Sequence, residues 1–452
     1  MQLNHTVKPE DVRKTIAKHM LADGADVVVD LERSHGAYLV DQVTGREYLD
    51  FFTFFASAPI GHNHPKMHDS AFVEELTAAS LSKPSSSDFY TTYMAEFVET
   101  FGRVAMPDSM PHLFLVSGGA LAVENALKAA FDWKYRKNFA GIAGGNLMVD
   151  GLGIKIIHFQ QAFHGRSGYT LSLTNTADPR KYMYFPKFDW PRVTNPKLHF
   201  PVTDKVLEEV KLQEEIAIAQ IEAAVKQYPG DIAALIIEPI QGEGGDNHFR
   251  PEFFVELRRL ADEHEFLFIV DEVQTGMGIT GKMWAMDHMG VEPDIIAFGK
   301  KSQICGIISG QRIEEVENHV FEESSRINST FGGNLTDMVR ARRYLQIIEE
   351  DKLVEHTAKM GEKMLGLLSD VAEGSNGQIS NVRGRGMMVA FDLPTSAKRD
   401  ALLVTLMHNG LFALACGTHS VRFRGMLDTP EDVIEKAVEI VADSINKPEK
   451  VA

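Results

Sequence analysis

Two short apolar segments end in charged residues whose types suit one kind of chemistry. Residues 266–270 are followed by Asp271, and residues 294–299 are followed by Lys300 and Lys301. Both segments look like buried parallel strands, and the carboxyl ends of such strands face the ligand crevice of an open sheet. Pyridoxal phosphate chemistry needs a lysine that forms an imine and a carboxylate that keeps a pyridine nitrogen protonated. The pair therefore indicates a pyridoxal phosphate site.

Only one of the two adjacent lysines can form that imine. On an extended segment Lys300 and Lys301 face opposite sides, so one of them faces the crevice. The dipeptide alone fits two solvated surface lysines equally well, and the strand before it favours the chemical role. The residues by themselves leave the choice between the two lysines open.

A glycine turn before a helix supplies a candidate phosphate site. Residues 112–116 are apolar, Gly118 and Gly119 follow, and apolar residues then recur at helical spacing from about Leu121. The first N–H groups of a helix and its dipole favour an anion. Most glycines at such positions only form turns. The position gains weight because it precedes the Asp271 segment in the same predicted sheet.

Two further side chains are candidates for contact with a flat cofactor ring. Phe163 follows the apolar segment 154–159 and offers a face on which a ring can stack, although a core aromatic fits equally well. Gln274, three residues after Asp271, is within reach of a ring hydroxyl. His164 is interpreted as a structural hydrogen-bonding residue. Asp271 itself has the alternative role of a helix N-cap.

The elements that position these residues form an α/β pattern. Apolar segments of strand length alternate with amphipathic helical stretches, which is typical of a largely parallel sheet. The predicted strands are residues 113–116, 154–159, 232–237, 266–270 and 295–298. We predict a large domain with a mostly parallel mixed sheet and a smaller α+β domain.

The ends of the chain differ from this central part. Residues 38–49 read as a hairpin with Gly45 in its turn. A long charged helix from 339 to 351 leads into a final part that contains predicted strands within 381–393 and 418–423. We predict an N-terminal segment (1–75) that joins the small domain, a large cofactor-binding domain (76–337) and a C-terminal small domain (338–452).

Composition narrows the class of protein further. The chain of 452 residues has a formal net charge of −17, which argues against general nucleic-acid or anionic-membrane binding. Cys305 and Cys416 are its only cysteines and give no disulfide framework, and the N-terminus has no apolar signal core, so we expect a cytoplasmic protein. His62 and His64 form the only close histidine pair and have no cysteine or acidic neighbour, so no metal site is expected. No G-x-G-x-x-G motif follows the first strand, which argues against an NAD enzyme.

Longer segments resemble a known family. Residues 235–245 (LIIEPIQGEGG), 270–276 (VDEVQTG) and 297–300 (AFGK) resemble the class III, or ω-amino acid, aminotransferases, and the resemblance covers nearly the whole chain. It implies fold type I, the aspartate-aminotransferase-like fold of pyridoxal phosphate enzymes. Four segments are more similar still to the lysine 6-aminotransferases within that family: residues 118–134, 162–175, 185–191 and 328–338.

The resemblance also implies roles for residues around the cofactor. Lys300, rather than Lys301, would carry pyridoxal phosphate, and Asp271 would pair with its ring nitrogen. The remaining contacts would be Gln274 to the ring oxygen, Phe163 to the ring face, and the N–H groups of Gly119 and Ala120 to the phosphate, with Thr330 from the other subunit of a homodimer. The family usually has a hydroxyl residue and a glutamate where this chain has Ala120 and Leu121. Phosphate binding should therefore depend more on backbone groups and Thr330.

On the substrate side, the resemblance implies a charge switch. Glu243 would pair with Arg422 in one half-reaction and release it in the other, and Arg166 would bind the distal carboxylate of either substrate. Arg424 lies two residues after Arg422, on the same strand face, and is a second candidate for the same role.

The implied reaction transfers the ε-amino group of L-lysine to 2-oxoglutarate. Its products would be L-glutamate and 2-aminoadipate 6-semialdehyde, which cyclises to piperideine-6-carboxylate. One alternative is another ω-aminotransferase that acts on ornithine, 4-aminobutyrate or another diamine, since a methylene or two is worth only about 1–3 kcal/mol in a pocket. A second alternative is a non-catalytic protein that only binds the cofactor, but the presence of Lys300, Asp271 and Glu243 argues against it.

Overall fold

The computed structural model describes residues 5–82, 88–139 and 152–446 of the chain. The first four residues of the predicted N-terminal segment and residues 447–452 of the predicted small domain lie outside these ranges. Within them, the strands are β1 (Tyr38–Val40), β2 (Glu47–Asp50), β3 (His112–Val116), β4 (Lys155–Phe159), β5 (Arg192–Val193), β6 (Ile232–Ile237), β7 (Leu267–Asp271), β8 (Ile295–Phe298), β9 (Cys305–Ser309), β10 (Ser380–Arg385), β11 (Met388–Asp392), β12 (Leu411–Phe412), β13 (Leu414–Cys416) and β14 (Ser420–Arg424).

The helical elements of the same ranges alternate with these strands through the middle of the chain. They are α1 (Val12–Ile16), α2 (Thr53–Ala56), α3 (Ser70–Ser82), α4 (Thr92–Ala105), α5 (Gly119–Phe139), α6 (Gly168–Leu173), α7 (Asp204–Gln227), α8 (Pro251–Glu263), α9 (Leu335–Glu350), α10 (Leu353–Gly374), α11 (Ser396–His408) and α12 (Glu431–Asn446). The short element α2 is a single turn of left-handed conformation, because all four of its residues have positive φ.

The large sheet has the strand order β3-β9-β8-β7-β6-β4-β5. Strands β5, β4, β6, β7 and β8 pair in parallel, whereas β9 pairs antiparallel with both β8 and β3. This confirms the predicted mostly parallel mixed sheet, and the predicted bounds of β6 and β8 match. Every residue of β6, β7 and β8 is buried, because helices cover both faces of the sheet. Sequence analysis did not predict β9, which separates β3 from the parallel strands.

Two smaller sheets involve the ends of the chain. The predicted hairpin is confirmed: β1 pairs antiparallel with β2, and Gly45 in the connecting turn has a φ of +72°. Strand β12 pairs in parallel with β2, so the N-terminal and C-terminal parts share one sheet. The second small sheet is antiparallel, in the order β10-β11-β14-β13. It brings β14 and its two arginines towards the large sheet.

The carboxyl ends of the central strands meet at one edge of the large sheet. Glu238 follows β6, Asp271 ends β7, and Gly299 and Lys300 follow β8. Asp271 is paired with Ala297 in the β7–β8 ladder, which confirms the prediction that both segments end at the same edge of the sheet. In the described ranges, no helix is both long and apolar enough to cross a membrane.

Candidate active site

A cavity of about 340 Å³ opens at this edge of the sheet. Its walls carry seven of the residues predicted to contact the cofactor or the substrates, and four others. The lining consists of Gly119, Ala120, Phe163, Arg166, Asp271, Gln274 and Lys300, together with His164, Gly165, Glu238 and Val273. Sequence analysis therefore collected most residues of one cavity from segments that lie up to 181 positions apart in the chain, Gly119 to Lys300.

Lys300 lines the cavity, whereas Lys301 points away from it. Lys301 is 2% exposed, and its Nζ donates a hydrogen bond to the carbonyl oxygen of Ala58 at 3.1 Å. The two side chains diverge because residues 300–302 form a 3₁₀ turn in which Lys300 has a φ of +53°. The expectation of an extended segment was therefore wrong. The turn, rather than the alternation of a strand, separates the two lysines.

The electrostatic surroundings of Lys300 favour its neutral form. Burial, followed by the charges of Arg422 and Arg424, lowers the pKa of Lys300 to about 8. Asp271 and Glu238 oppose this shift but do not cancel it. An amine with such a pKa is partly unprotonated near neutral pH, which a nucleophilic lysine requires.

Asp271 is held in place by a buried histidine. His164 Nδ1 lies 2.7 Å from Asp271 Oδ2, and the backbone N–H of Val273 donates to Asp271 Oδ1 at 3.0 Å. His164 Nε2 is buried and has no hydrogen-bond partner among the described residues. His164 thus has the structural hydrogen-bonding position that its sequence suggested. The N-cap alternative for Asp271 was wrong, because a turn and not a helix follows β7.

Glu238 was not singled out from the sequence, although it ends a wholly apolar strand in the same way as Asp271. One carboxylate oxygen accepts from the backbone N–H of Phe163 at 2.9 Å, and the other accepts from Gly242 at 3.1 Å. Burial raises the pKa of Glu238 to about 7. The side chain joins the loop that carries Phe163 to the loop that carries Glu243.

At the end of the cavity next to α5, glycines allow neighbouring segments to pack closely against the backbone. A Cβ on Gly119 would lie 2.7 Å from Val273 Cγ1, and one on Gly165 would lie 2.7 Å from the Cβ of Ala120. Gly165 also has a φ of +131°, which L side chains rarely adopt. Since α5 begins at Gly119, its first N–H groups have no partner within the helix and are available to an anion.

Arg422 and Glu243 form an ion pair next to the cavity. Arg422 Nη2 donates to Glu243 Oε2 at 2.6 Å, and Arg422 Nη1 lies 3.4 Å from Gln274 Oε1 in the cavity wall. The side chain of Arg422 is 3% exposed and that of Glu243 is 20% exposed. The other carboxylate oxygen of Glu243 contacts the ammonium group of Lys181. No pattern in the sequence pointed to Lys181.

Arg424 has a different partner from Arg422. Its guanidinium group contacts both carboxylate oxygens of Asp246, with Nη1 to Oδ2 at 2.7 Å, and both side chains are 1% exposed. It also donates to Gln274 Oε1 from Nε at 3.1 Å and from Nη2 at 2.9 Å. The period-two prediction is confirmed in that both arginines reach Gln274. Arg424 is neutralised by Asp246, whereas Arg422 is paired with a carboxylate that is still accessible to water.

Two predicted residues differ from the others in their surroundings. Arg166 is exposed at the rim of the cavity and makes no ion pair within the described ranges. Thr330 does not belong to the cavity lining described above. The carbonyl oxygen of the next residue, Phe331, accepts a hydrogen bond from Ser117 at 2.9 Å, so this segment lies near the start of α5 in its own chain.

These residues fit pyridoxal phosphate. The cavity combines a partly neutral lysine, a buried carboxylate held by an otherwise unpartnered histidine, and apolar side chains from Phe163 and Val273. Gly119 and Gly165 leave room at the helix start that a Cβ would fill. Over the described residues, no group of three or more histidine, cysteine or acidic side chains is arranged to hold a metal ion.

Comparisons with known proteins identify the family of the chain. The profile of the family Aminotransferase class-III matches residues 20–445. The chain is 49% identical to L-lysine-epsilon aminotransferase of Mycobacterium tuberculosis, over 97% of this chain and 96% of that protein. It is also 49% identical to the protein of the same name from Amycolatopsis lactamdurans, over 96% and 95% of the two chains.

A solved structure of lysine aminotransferase from M. tuberculosis superposes with a TM-score of 0.93 at 49% identity and covers 97% of this chain and 99% of that one. A family profile that spans most of the chain and relatives that match over nearly their full length agree with the cofactor-binding features of the cavity. The chain therefore belongs to the class III aminotransferases, pyridoxal phosphate enzymes with the α/β architecture of fold type I.

Proposed function

We propose that this enzyme transfers the ε-amino group of L-lysine to 2-oxoglutarate. The products are L-glutamate and 2-aminoadipate 6-semialdehyde, which closes to piperideine-6-carboxylate because its own α-amine reaches the aldehyde. The observation that carries the proposal is the Glu243–Arg422 pair beside the Lys300 cavity. The near-full-length similarity to lysine ε-aminotransferases supports the choice of lysine.

The residues of the cavity have different roles in the proposed reaction. Bound pyridoxal phosphate supplies an aldehyde for the amine and a ring that withdraws electrons from the substrate carbon. Lys300 Nζ, with its lowered pKa, takes the proton from the ε-carbon of lysine and later returns one to the acceptor carbon. Asp271, oriented by His164, would keep the ring nitrogen protonated. Gly119 and Ala120 would hold the phosphate through their N–H groups, and Phe163 would lie against the ring.

The two substrates pose opposite electrostatic demands at the reacting carbon. Lysine presents methylenes there, whereas 2-oxoglutarate presents a carboxylate. Arg422 suits the carboxylate, but leaving its buried charge unpaired against methylenes would cost about 3–5 kcal/mol. Glu243 removes this cost by pairing with Arg422 while lysine is bound, and it releases Arg422 to the acceptor. The position of Glu243, between buried protein and water, supports such movement.

Arg166 and Gln274 complete the substrate contacts. The exposed guanidinium group of Arg166 at the cavity rim is suited to bidentate binding of the distal carboxylate of either substrate. Gln274 connects the cavity to the arginines beside it. Its side chain lines the cavity and accepts hydrogen bonds from Arg422 and Arg424.

We propose further that the enzyme is a cytoplasmic homodimer whose active site is completed by Thr330 of a second copy. Apolar side chains exposed near the site support an interface: Phe331 is 54% exposed, and Phe54 and Phe55 of the left-handed turn α2 are 40% and 56% exposed. Four successive residues with positive φ are strained, and such strain persists where a surrounding structure fixes it. Both cysteines are free, which fits a reducing compartment.

We also propose the domain division 1–75 with 338–452 as the small domain and 76–337 as the large one. The pairing of β2 with β12 supports it, because it joins the two ends of the chain in one sheet.

Isotope transfer tests the proposed reaction most directly. Lysine that carries ¹⁵N at the ε-position should give ¹⁵N-glutamate from 2-oxoglutarate, and lysine that carries ¹⁵N at the α-position should not. A parallel panel of L-ornithine and 4-aminobutyrate ranks the donors by kcat/KM. Label transferred from the α-position, or a kcat/KM for ornithine or 4-aminobutyrate above that for lysine, would overturn the proposal.

A further inference from the structure

Glu243 is shared between two cations rather than held by one. Its Oε2 accepts from Arg422, and its Oε1 contacts Lys181 Nζ. The side chains of Lys181 and Glu243 are 19% and 20% exposed, so both lie at the border between the site and water. The ion pair of Glu243 with Arg422 alone therefore does not describe the resting position of this carboxylate.

Lys181 reaches the site from an ordered turn of the surface. It ends the 3₁₀ helix Pro179–Lys181, which begins with the side chain of Asp178 accepting from the N–H of Arg180 at 3.1 Å. Its Nζ also lies 6.0 Å from the centre of the Phe163 ring. The ammonium group thus stands between the carboxylate of Glu243 and the aromatic side chain of the cavity wall.

Lys181 can move together with the carboxylate of Glu243 more freely than Arg422 can. Arg422 belongs to β14, is 3% exposed, and also contacts Gln274. Lys181 has a flexible stem and a position near water. Burial raises the pKa of the Glu243 carboxyl, but Arg422 and Lys181 together outweigh it and hold that pKa below its usual value. Both cations therefore stabilise the charged form of Glu243 in the position it has here.

A carboxylate that leaves Arg422 keeps its second partner. Without Lys181, release would leave Glu243 partly buried with no cation, and such a charge is costly. With Lys181 present, a Glu243 carboxylate that releases Arg422 goes from contact with two cations to contact with one. Arg422 then becomes available to an incoming carboxylate at a smaller cost.

We propose that Lys181 is a positioning residue that holds Glu243 when Glu243 releases Arg422, and that it thereby favours binding of the dicarboxylate acceptor. This inference rests on the proposed function, in which Glu243 and Arg422 act as a switch. Lys181 acts through Glu243 and does not itself bind the acceptor. Removal of the Lys181 side chain should weaken binding of the acceptor and leave the reaction with the ε-amine donor nearly unchanged.

The test compares Lys181→Met with Arg180→Met in the holoenzyme. Arg180 is the matched control, since it lies on the same turn but pairs with Asp178 and is 85% exposed. Calorimetry with glutarate, an unreactive five-carbon dicarboxylate, measures binding apart from turnover. Single-turnover absorbance then follows the lysine and 2-oxoglutarate half-reactions separately.

Loss of a partly buried ion-pair partner should weaken glutarate binding by about tenfold in Lys181→Met. The 2-oxoglutarate half-reaction should need a correspondingly higher substrate concentration, while the lysine half-reaction should change by less than about twofold. Arg180→Met should match the wild type, and Lys181→Arg should restore most of the binding. In a Glu243→Ala background, Lys181→Met should have no further effect on glutarate.

Three results would overturn the inference. They are unchanged glutarate binding in Lys181→Met, an equal loss in both half-reactions, and a tenfold loss that persists in the Glu243→Ala background, which would mean direct contact with the dicarboxylate. Failure of the proposed function is distinguishable from all three, because it appears in the wild type as absence of ε-¹⁵N transfer.

Discussion

Arg424 is neutralised by Asp246 inside the protein, and this pairing separates its role from that of Arg422 two residues earlier. Both side chains of the Arg424–Asp246 pair are 1% exposed, whereas Glu243, the partner of Arg422, is 20% exposed. The two arginines of β14 therefore have one fixed and one accessible counter-ion. Arg424 holds Gln274 and the loop that carries Asp246, and Arg422 is the arginine whose counter-ion is accessible to water.

This difference predicts unequal costs for removing the two carboxylate charges. Asp246→Asn should lower the free energy of unfolding of the apoprotein by about 3 kcal/mol, because it leaves a fully buried guanidinium without its counter-ion. Glu243→Gln should cost about 1 kcal/mol in the same substrate-free protein, because water reaches the side chain at position 243 and a glutamine there can still accept a hydrogen bond from Arg422. Urea denaturation measures both variants. Equal losses of unfolding free energy in the two variants would mean that solvent exposure does not determine how much each ion pair contributes to stability.

The charge switch predicts opposite effects on two classes of substrate. Glu243→Ala should slow the half-reaction with lysine by about tenfold or more, because Arg422 then faces methylenes without a counter-ion. Glutamate and 2-oxoglutarate, which bring a carboxylate to Arg422, should react as well as in the wild type or better. Stopped-flow absorbance of the bound cofactor resolves the two half-reactions. An equal loss in both would contradict the switch.

The lowered pKa of Lys300 predicts selective labelling. Because the pKa of Lys300 is lowered to about 8, its neutral fraction in the apoprotein should rise steeply between pH 7 and pH 9, whereas an ordinary lysine with a pKa of about 10.4 stays mostly protonated. A small amine-arylating reagent should therefore modify Lys300 with a midpoint near pH 8, as mapped by mass spectrometry.

Lys301 provides the internal control for this labelling. Burial and the nearby charge of Arg424 lower the pKa of Lys301 to about 7, yet its side chain is enclosed and bonded to Ala58. It should therefore stay unmodified in the folded protein, and Lys300→Ala should remove the reactive site. Faster labelling of Lys301 than of Lys300 would reverse the assignment.

The close contact between Gly119 and Val273 predicts a compensating pair of substitutions. Gly119→Ala places a Cβ within 2.7 Å of Val273 Cγ1, so it should cost about 1–3 kcal/mol of stability and weaken cofactor binding. Val273→Ala in the same chain removes the clashing methyl groups and should recover most of the loss. Fluorescence titration of the apoprotein with pyridoxal phosphate and urea denaturation measure the two effects. A double variant no better than Gly119→Ala would show that the helix start itself is disturbed.

A shared active site predicts complementation between two defective subunits. If Thr330 acts in the site of the other copy, mixed dimers of Lys300→Ala and Thr330→Ala chains contain one site with both residues intact. Random reassociation of equal amounts should then restore about a quarter of the wild-type sites, since half of the dimers are mixed and each has one complete site. Activity after reversible dissociation measures this recovery.

Lys300→Ala mixed with Asp271→Ala is the matched control for complementation. Lys300 and Asp271 line one cavity of a single chain, so every mixed dimer has one defect in each site. This mixture should recover no activity. Equal recovery in both mixtures, or none in either, would argue against a site completed by Thr330 of the partner.

The sequence by itself determined most of the architecture and most members of the cavity. Runs of buried apolar residues set β6, β7 and β8, and the charged residues that end them could only emerge at the carboxyl edge of a parallel sheet. Local patterns of this kind also located the hairpin with Gly45 and the start of α5. Each of these features depends either on contacts between residues that are near in sequence or on the way in which buried strands pair in a sheet.

Tertiary structure alone decided which partners Lys181 and Arg424 have. Lys181 and Glu243 are 62 residues apart, and Arg424 and Asp246 are 178 apart, so no local period relates them. The same holds for the link from Glu238 to Phe163 and for the 3₁₀ turn that separates Lys300 from Lys301. Charge pairing depends on which side chains the packed sheets bring within a few ångströms and on how much water remains around them.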